Sequence, residues 1–209
     1  MRQNKLSILI FIFASLFLFI GCGGPTSYAE TFDEPGTWRT ESDSEVKGEI
    51  QNGVYDFRVI ADELTTWTTA GQNFSDGVYE VEATQVGGPN NNAFGMLFRV
   101  DDNNDNFYAF LISGDGYAWV GRYEDGLAGD TILGDWWIES PAIIKGSDVT
   151  NKLRVEAESG NMKFFINDQE IGRVTDNSFA SGDVGLMVRS LGRGDVHVQF
   201  DNFTINPIP

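Results

Sequence analysis

GVYEVEATQVGGPNNNAFGMLFRVDDNNDNFYAFLISGDGYAWVGRY, residues 77–123, reads as four strands joined by tight turns. Residues 78–85 alternate, with Tyr79, Val81 and Ala83 on one face and Val78, Glu80, Glu82 and Thr84 on the other. Residues 94–100 alternate again, setting Phe94, Met96, Phe98 and Val100 against Gly95, Leu97 and Arg99. Residues 107–112 are apolar on both faces, as a central strand covered on both sides would be. Residues 117–123 put Tyr117, Trp119 and Tyr123 on one face and Ala118, Val120 and Arg122 on the other. Successive strand side chains point to opposite faces, so a period of two belongs to strands and not to helices. The connectors at 87–92, 101–106 and 114–116 are built from Gly, Asn, Asp and Pro, which tolerate positive φ or bond their own backbone in turns. The pattern predicts an antiparallel meander at the heart of one all-β sandwich.

The flanks extend this pattern. Asn52-Gly53 between two apolar runs is a strong hairpin signal, and residues 64–70 form a Thr-rich run around Trp67. Phe32 and Trp38 are candidate core anchors at the start of the domain. Residues 124–141 read as irregular and hold Trp136 and Trp137. Residues 151–158, 162–166 and 170–174 form a second meander, and 184–189 and 196–205 complete the set. In the last run the apolar register passes from Val196, Val198 and Phe200 to Phe203 and Ile205. A bulge or bend is therefore expected at Asp201-Asn202. No window is convincingly amphipathic at helical spacing. Many short strands with turn signals between them indicate a sandwich or jelly roll.

The 209 residues fit one domain plus a leader. Residues 1–21 hold Arg2 and Lys5, an apolar run over 6–20 and a small-residue exit, which together read as a secretory signal. Without these two bases, 12 Lys and Arg face 31 Asp and Glu, a net charge of −19. Nucleic acid is excluded as a partner on this balance, because phosphate binding needs a basic patch. The chain has one Cys, so no intrachain disulfide forms. Leu18-Phe19-Ile20-Gly21-Cys22 resembles the lipobox of bacterial lipoproteins, with Phe19 in place of the usual Leu. The resemblance implies lipidation of Cys22 and a cell-envelope location outside the cytoplasmic membrane, at the outer membrane where there is one. Residues 22–30 then form a lipidated tether and residues 31–207 the sandwich domain.

The run 182–187 (GDVGLM), followed by 198–205 (VQFDNFTI), resembles the C-terminal end of concanavalin A-like lectin/glucanase jelly rolls. More narrowly it is similar to the bacterial 3-keto-disaccharide hydrolase-like domain, and residues 107–112 and 151–155 fit the same pattern. The resemblance rests on turn glycines and core strands, and so implies a fold more than an activity. It also implies a structural calcium between the first strand and the last. The candidate ligands are Asp33, Glu34 and Asp201, oxygen donors of the kind calcium prefers.

Catalytic motifs are weak. The only His, His197, stands between two valines on a strand without a nucleophile elbow. Glu80 and Glu82 share a strand face, but the third acid of a glucanase-type Glu-x-Asp-x-x-Glu motif is Gln85 here. Asp101, Asn103 and Asp105 begin like a calcium loop and then lack its glycine and terminal Glu. The binding candidates are Tyr117, Trp119 and Tyr123 on one strand face, with Trp136 and Trp137 in the next loop. Arg99, with Asn90 and Asp115, could supply hydroxyl contacts. Aromatic rings stack on sugar C–H faces, but the same rings could also fill the core. Two adjacent loop tryptophans cannot both point inward. The sequence therefore favours a non-catalytic binding module for a glycan or other cell-surface ligand. A hydrolase of the 3-keto-disaccharide type and an envelope adaptor protein remain as alternatives.

Overall fold

A computed structural model describes residues 27–208, which form sixteen strands and no helix. In chain order these begin with β1 (Tyr28–Glu30), β2 (Glu41–Ser42), β3 (Val46–Gln51), β4 (Val54–Val59), β5 (Thr65–Thr69), β6 (Gly77–Gly87), β7 (Ala93–Asp101) and β8 (Asn106–Ser113). They continue as β9 (Tyr117–Glu124), β10 (Leu127–Thr131), β11 (Ile138–Glu139), β12 (Thr150–Glu158), β13 (Asn161–Ile166), β14 (Gln169–Thr175), β15 (Asp183–Arg189) and β16 (Val196–Asn206). One sheet runs β14-β13-β12-β6-β16-β4-β3-β2, with β1 also on β16. The other runs β10-β9-β8-β7-β15-β5, with β11 also on β9. The pairings within both sheets are antiparallel, and the two sheets form the expected β-sandwich.

The alternating residues face one another across the middle. Tyr79, Val81 and Ala83 of β6, Leu153 and Val155 of β12, and Tyr55 and Phe57 of β4 are buried from one sheet. Phe94, Met96 and Phe98 of β7, Tyr108, Phe110 and Ile112 of β8, and Val184, Leu186 and Val188 of β15 meet them from the other. Each fully buried side chain of this size contributes about 1.5–3 kcal/mol by leaving water. Asn52 and Gly53 take φ of 53° and 75° between paired Gln51 and Val54, as a two-residue hairpin requires. The expected bend in β16 is present. The register shifts between Asp201 and Thr204, Asn202 has φ 50°, and both Phe200 and Phe203 stay buried.

Three features differ from the sequence reading. Tyr28–Glu30, assigned to the tether, pairs with Phe203–Ile205 of β16, so the sheet begins earlier than residue 31. Cys22 and the leader lie outside the described residues. The segment 124–141 is not wholly irregular, since β10 and β11 within it both pair with β9. Strand β7 does not keep one register. A shift between Phe98 and Asp101, with Arg99 at φ 54°, moves Val100 from the main core to the opposite face.

That bulge also settles Arg99. Its side chain is 1% exposed and donates to the carbonyls of Ser75 and Phe179 and to the Asp76 carboxylate. It ties two loops to β7 and is not available for a ligand. A guanidinium so fully buried would be costly to leave unpaired.

Candidate functional site

Many outward positions of the seven-stranded sheet are apolar. Met187 of β15, Leu97 of β7, Ala109 and Leu111 of β8, and Trp119 and Tyr123 of β9 form a second buried cluster, with Trp67, Trp137 and Leu191 packed against it. Trp67 and Phe107 bring their rings to 5.3 Å although β15 and β7 lie between their strands. Trp67 shares a cross-strand row with Leu111 of β8, four residues from Phe107, so at about 4.8 Å per strand and about 3.3 Å per residue their backbones are some 19 Å apart along a flat sheet. Such rings meet only when the sheet curves toward its outer face, which makes that face a cleft.

The cleft floor is a continuous set of aromatic contacts. Phe107 stacks on Tyr123 at 4.8 Å, Tyr123 meets Trp119 edge-on at 5.9 Å, and Trp119 lies 6.5 Å from Trp137. Trp119 lies over Gly121, where a Cβ would stand 2.3 Å from its ring. Its indole N–H donates to Thr131 Oγ1 at 3.0 Å. Burial pushes the Tyr123 phenol up in pKa, and the nearby Arg189 guanidinium pulls against that shift. The outward strand positions here are Thr65, Trp67 and Thr69; Gly185, Met187 and Arg189; Ala93, Gly95 and Leu97; Phe107, Ala109, Leu111 and Ser113; and Tyr117, Trp119, Gly121 and Tyr123. The acids on this face stand at its two ends, Asp183 of β15 opposite Val100 and Glu139 of β11 opposite Tyr117.

At one end the floor opens into a shallow pocket of about 290 Å³. Its walls are Tyr117, Trp136, Trp137 and Leu191, with Asn91, Ser113 and Asp115 as polar groups. Trp136 is 61% exposed and Tyr117 39%. Pairing of Glu139 with Tyr117 and of Ile138 with Ala118 brings the 136–137 segment alongside β9. The Asp115 carboxylate accepts from Ser113 Oγ, and its backbone N–H donates to Asn90 at 3.0 Å.

The expected aromatic strip is thus divided. Tyr117 and Trp136 are exposed and Trp137 is half-buried, and all three meet at the pocket. Trp119 and Tyr123, expected as ligand contacts, are 4% and 2% exposed and form the floor beneath. Trp67, Arg189 and Leu191 belong to this face and were not singled out from the sequence. Their outward parity on β5 and after β15 was readable, but their proximity to β9 depends on sheet curvature.

At the rim of the cleft the Asp183 carboxylate accepts from the backbone N–H groups of Gly71, Gln72 and Val184. Burial raises the pKa of neighbouring Asp102. Arg39 opposes the shift, and Asp183 and Asp105 add to it. Glu80, Glu82 and His197 lie on the other side of the molecule, outward from β6 and β16. Glu80 pairs there with Lys152 and Arg154, and His197 Nε2 meets Asp56 at 2.8 Å.

The residues expected around calcium come together only in part. Burial raises the pKa of Asp201, the Asn202 N–H opposes the shift, and Glu82 and Asp33 add to it. Glu34 is exposed and stands outside that group. Among the described residues no three His, Cys, Asp or Glu side chains converge closely enough to hold a metal. No helix there is long and apolar enough to cross a membrane.

No family model and no curated protein matches the sequence. Solved structures do match. The carbohydrate binding module CBM66 from Bacillus subtilis superposes with a TM-score of 0.63 at 22% identity, covering 80% of this chain and 94% of the module. A β-1,3-1,4-glucanase (lichenase) from a mouse hindgut metagenome gives 0.66 at 12% identity, over 88% of this chain and 100% of that one. The β-glucanase of Bacillus licheniformis gives 0.65 at 10% identity, over 88% and 99%. At these identities the likeness is one of fold, and the fold is the concanavalin A-like jelly roll.

Proposed function

We propose that the protein is a glycan-binding module without catalysis, held outside the cytoplasmic membrane by a lipidated Cys22. The observation that carries this reading is the pocket at the end of the cleft. There exposed Trp136 and Tyr117 offer ring faces for sugar C–H groups, and Asn91 and Asp115 offer hydrogen bonds to hydroxyls. The neighbours of this fold include a carbohydrate binding module and two glucanases, which is consistent with a sugar ligand. The acids on cleft-facing strand positions, Asp183 held by the backbone N–H groups of Gly71, Gln72 and Val184 and Glu139 opposite Tyr117 at the other end, are six rows apart and do not form the pair of carboxyls about 5–5.5 Å apart that a retaining hydrolase needs. Glu80 and Glu82 face away from the cleft and cannot serve it. Asp102, with its raised pKa, is the group on which a hydrolytic reading would rest, and Arg39 pairs with it at 3.3 Å. Anchoring at Cys22 is supported by the lipobox-like sequence alone.

The test is titration of the soluble chain, without its leader, against a glycan panel. Trp136→Ala and Tyr117→Ala should each weaken binding about tenfold or more, equivalent to about 1.4 kcal/mol, and leave the thermal midpoint unchanged. Binding that survives both substitutions would place the ligand elsewhere. Turnover of a 3-keto-glucoside that is abolished by Asp102→Asn would favour the hydrolase.

A further inference from the structure

Arg189 is unusual among the cations of this protein. Of the twelve Lys and Arg residues in 27–208 (the chain's 14 less Arg2 and Lys5), nine stand within 4.0 Å of a carboxylate. Such pairing is unsurprising where acids outnumber bases so heavily. Of the three others, Lys47 and Arg193 are exposed, where water satisfies them. Arg189 is half-buried. It stands on the outward face of β15, between Thr65 of β5 and Ala93 of β7. Its guanidinium lies near enough to Tyr123 to oppose the rise in that phenol's pKa, and among the described residues no carboxylate pairs with it.

The position relates directly to the pocket. Arg189, Ala93 and Ser113 occupy one cross-strand row, and Ser113 lines the pocket. At about 4.8 Å per strand, Arg189 starts about 10 Å from Ser113, and its side chain extends along the cleft toward Tyr123. A glycan stacked on Trp136 and running along the cleft toward Tyr123 would therefore carry a later ring past Arg189. A guanidinium carries five N–H donors in a planar fork that matches a carboxylate bidentately. Half removed from water and without a carboxylate, it leaves much of that capacity free.

We propose that the cleft selects glycans containing uronic acid, with Arg189 binding the sugar carboxylate. This rests on the glycan-binding reading above and narrows it. The protein's net negative charge does not prevent such recognition. At physiological salt the Debye length is about 8 Å, so distant acids are screened while a direct contact is not. Neutral rings would still stack in the pocket, but without the added charge-assisted hydrogen bonds.

The experiment compares matched ligands. Oligogalacturonate and oligomannuronate are each titrated against their methyl esters, which keep the backbone and remove the charge, with neutral β-glucan oligomers alongside. At least one acid should bind ten times or more tighter than its ester. Arg189→Gln should erase that difference without altering neutral binding or the thermal midpoint, and Arg189→Lys should restore part of it. Esters binding as well as acids, neutral oligomers binding while neither acid does, or Arg189→Gln weakening every ligand equally would each overturn the uronate assignment and leave glycan binding standing. Failure of every sugar to bind would overturn both.

Discussion

The outer faces of the two sheets differ sharply. On the nine-stranded sheet the outward residues form an ionic lattice. Lys152 bridges Glu80 and Asp168, Arg154 bridges Glu80 and Glu156, and Lys163 also reaches Glu156. Arg154 also covers the Phe165 ring at 3.6 Å. On the seven-stranded sheet the outward residues are rings and aliphatic chains, and several are as buried as the core. Most charges of the first face are paired with one another or meet water. The second closes over itself along much of its length and is most open at Tyr117 and Trp136, with Trp67 and Arg189 half-buried. The same period-two alternation builds both, and the identity of the outward residues separates a solvated face from a binding face.

This contrast is most directly broken at Phe107. It is fully buried between Trp67 and Tyr123 although it points away from the sandwich interior. Phe107→Ala should cost about 3–5 kcal/mol, as for a core phenylalanine. Phe165→Ala, on the ionic face, should cost about 1 kcal/mol or less, because a partly exposed cation–π contact is worth little more. Urea unfolding of the two variants measures the difference. Equal costs would mean that the aromatic layer is not a second core.

A smaller effect is expected at Gly121. A methyl group there meets the Trp119 ring and the Asp130 carbonyl at well below contact distance. Gly121→Ala should displace Trp119, shift tryptophan emission to longer wavelength and cost about 1–3 kcal/mol by overpacking. Unchanged emission would mean that the ring does not depend on this glycine.

The fold was legible because alternation, turn residues and the Asp201-Asn202 parity change are local signals. The faces of β6, β8 and β9 could be read directly, and even the bend in β16 followed from counting. The site was legible only in part. Parity placed Tyr117, Trp119 and Tyr123 on one face correctly, but it carries no information on what covers that face. Trp119 is covered because Gly121 admits its ring and Thr131 accepts its N–H, which depends on a strand, β10, that the sequence reading left irregular. Arg99 is interior because its own positive φ turns the strand, and a non-glycine residue gives little warning of that. Arg189 escaped notice because a lone Arg at a strand end looks solvated until the curvature of the sheet brings β9 toward it.

The smallest predicted effect concerns Asp201, an acid on the ionic face that no cation neutralises. It lies opposite Glu82 in the β6–β16 pairing, and Asn202 donates to it through its backbone. Burial, with Glu82 and Asp33 adding to it, raises its pKa above the ordinary 3.8. A carboxyl with a raised folded-state pKa favours folding most below the unfolded value and loses that contribution as pH rises through the folded one. At neutral pH the charged Asp201 therefore opposes folding. Asp201→Asn should raise the thermal midpoint at pH 7 slightly, by less than about 1 kcal/mol at this partly exposed site, and make no difference near pH 3. Repeating the comparison with millimolar calcium sharpens it. A cation seated between Asp33 and Asp201 would stabilise the parent chain and not the variant, reversing their order at pH 7. A variant that is less stable without calcium, by the same margin at both pH values, would show instead that Asp201 contributes through the hydrogen bond at the bend and not through its charge.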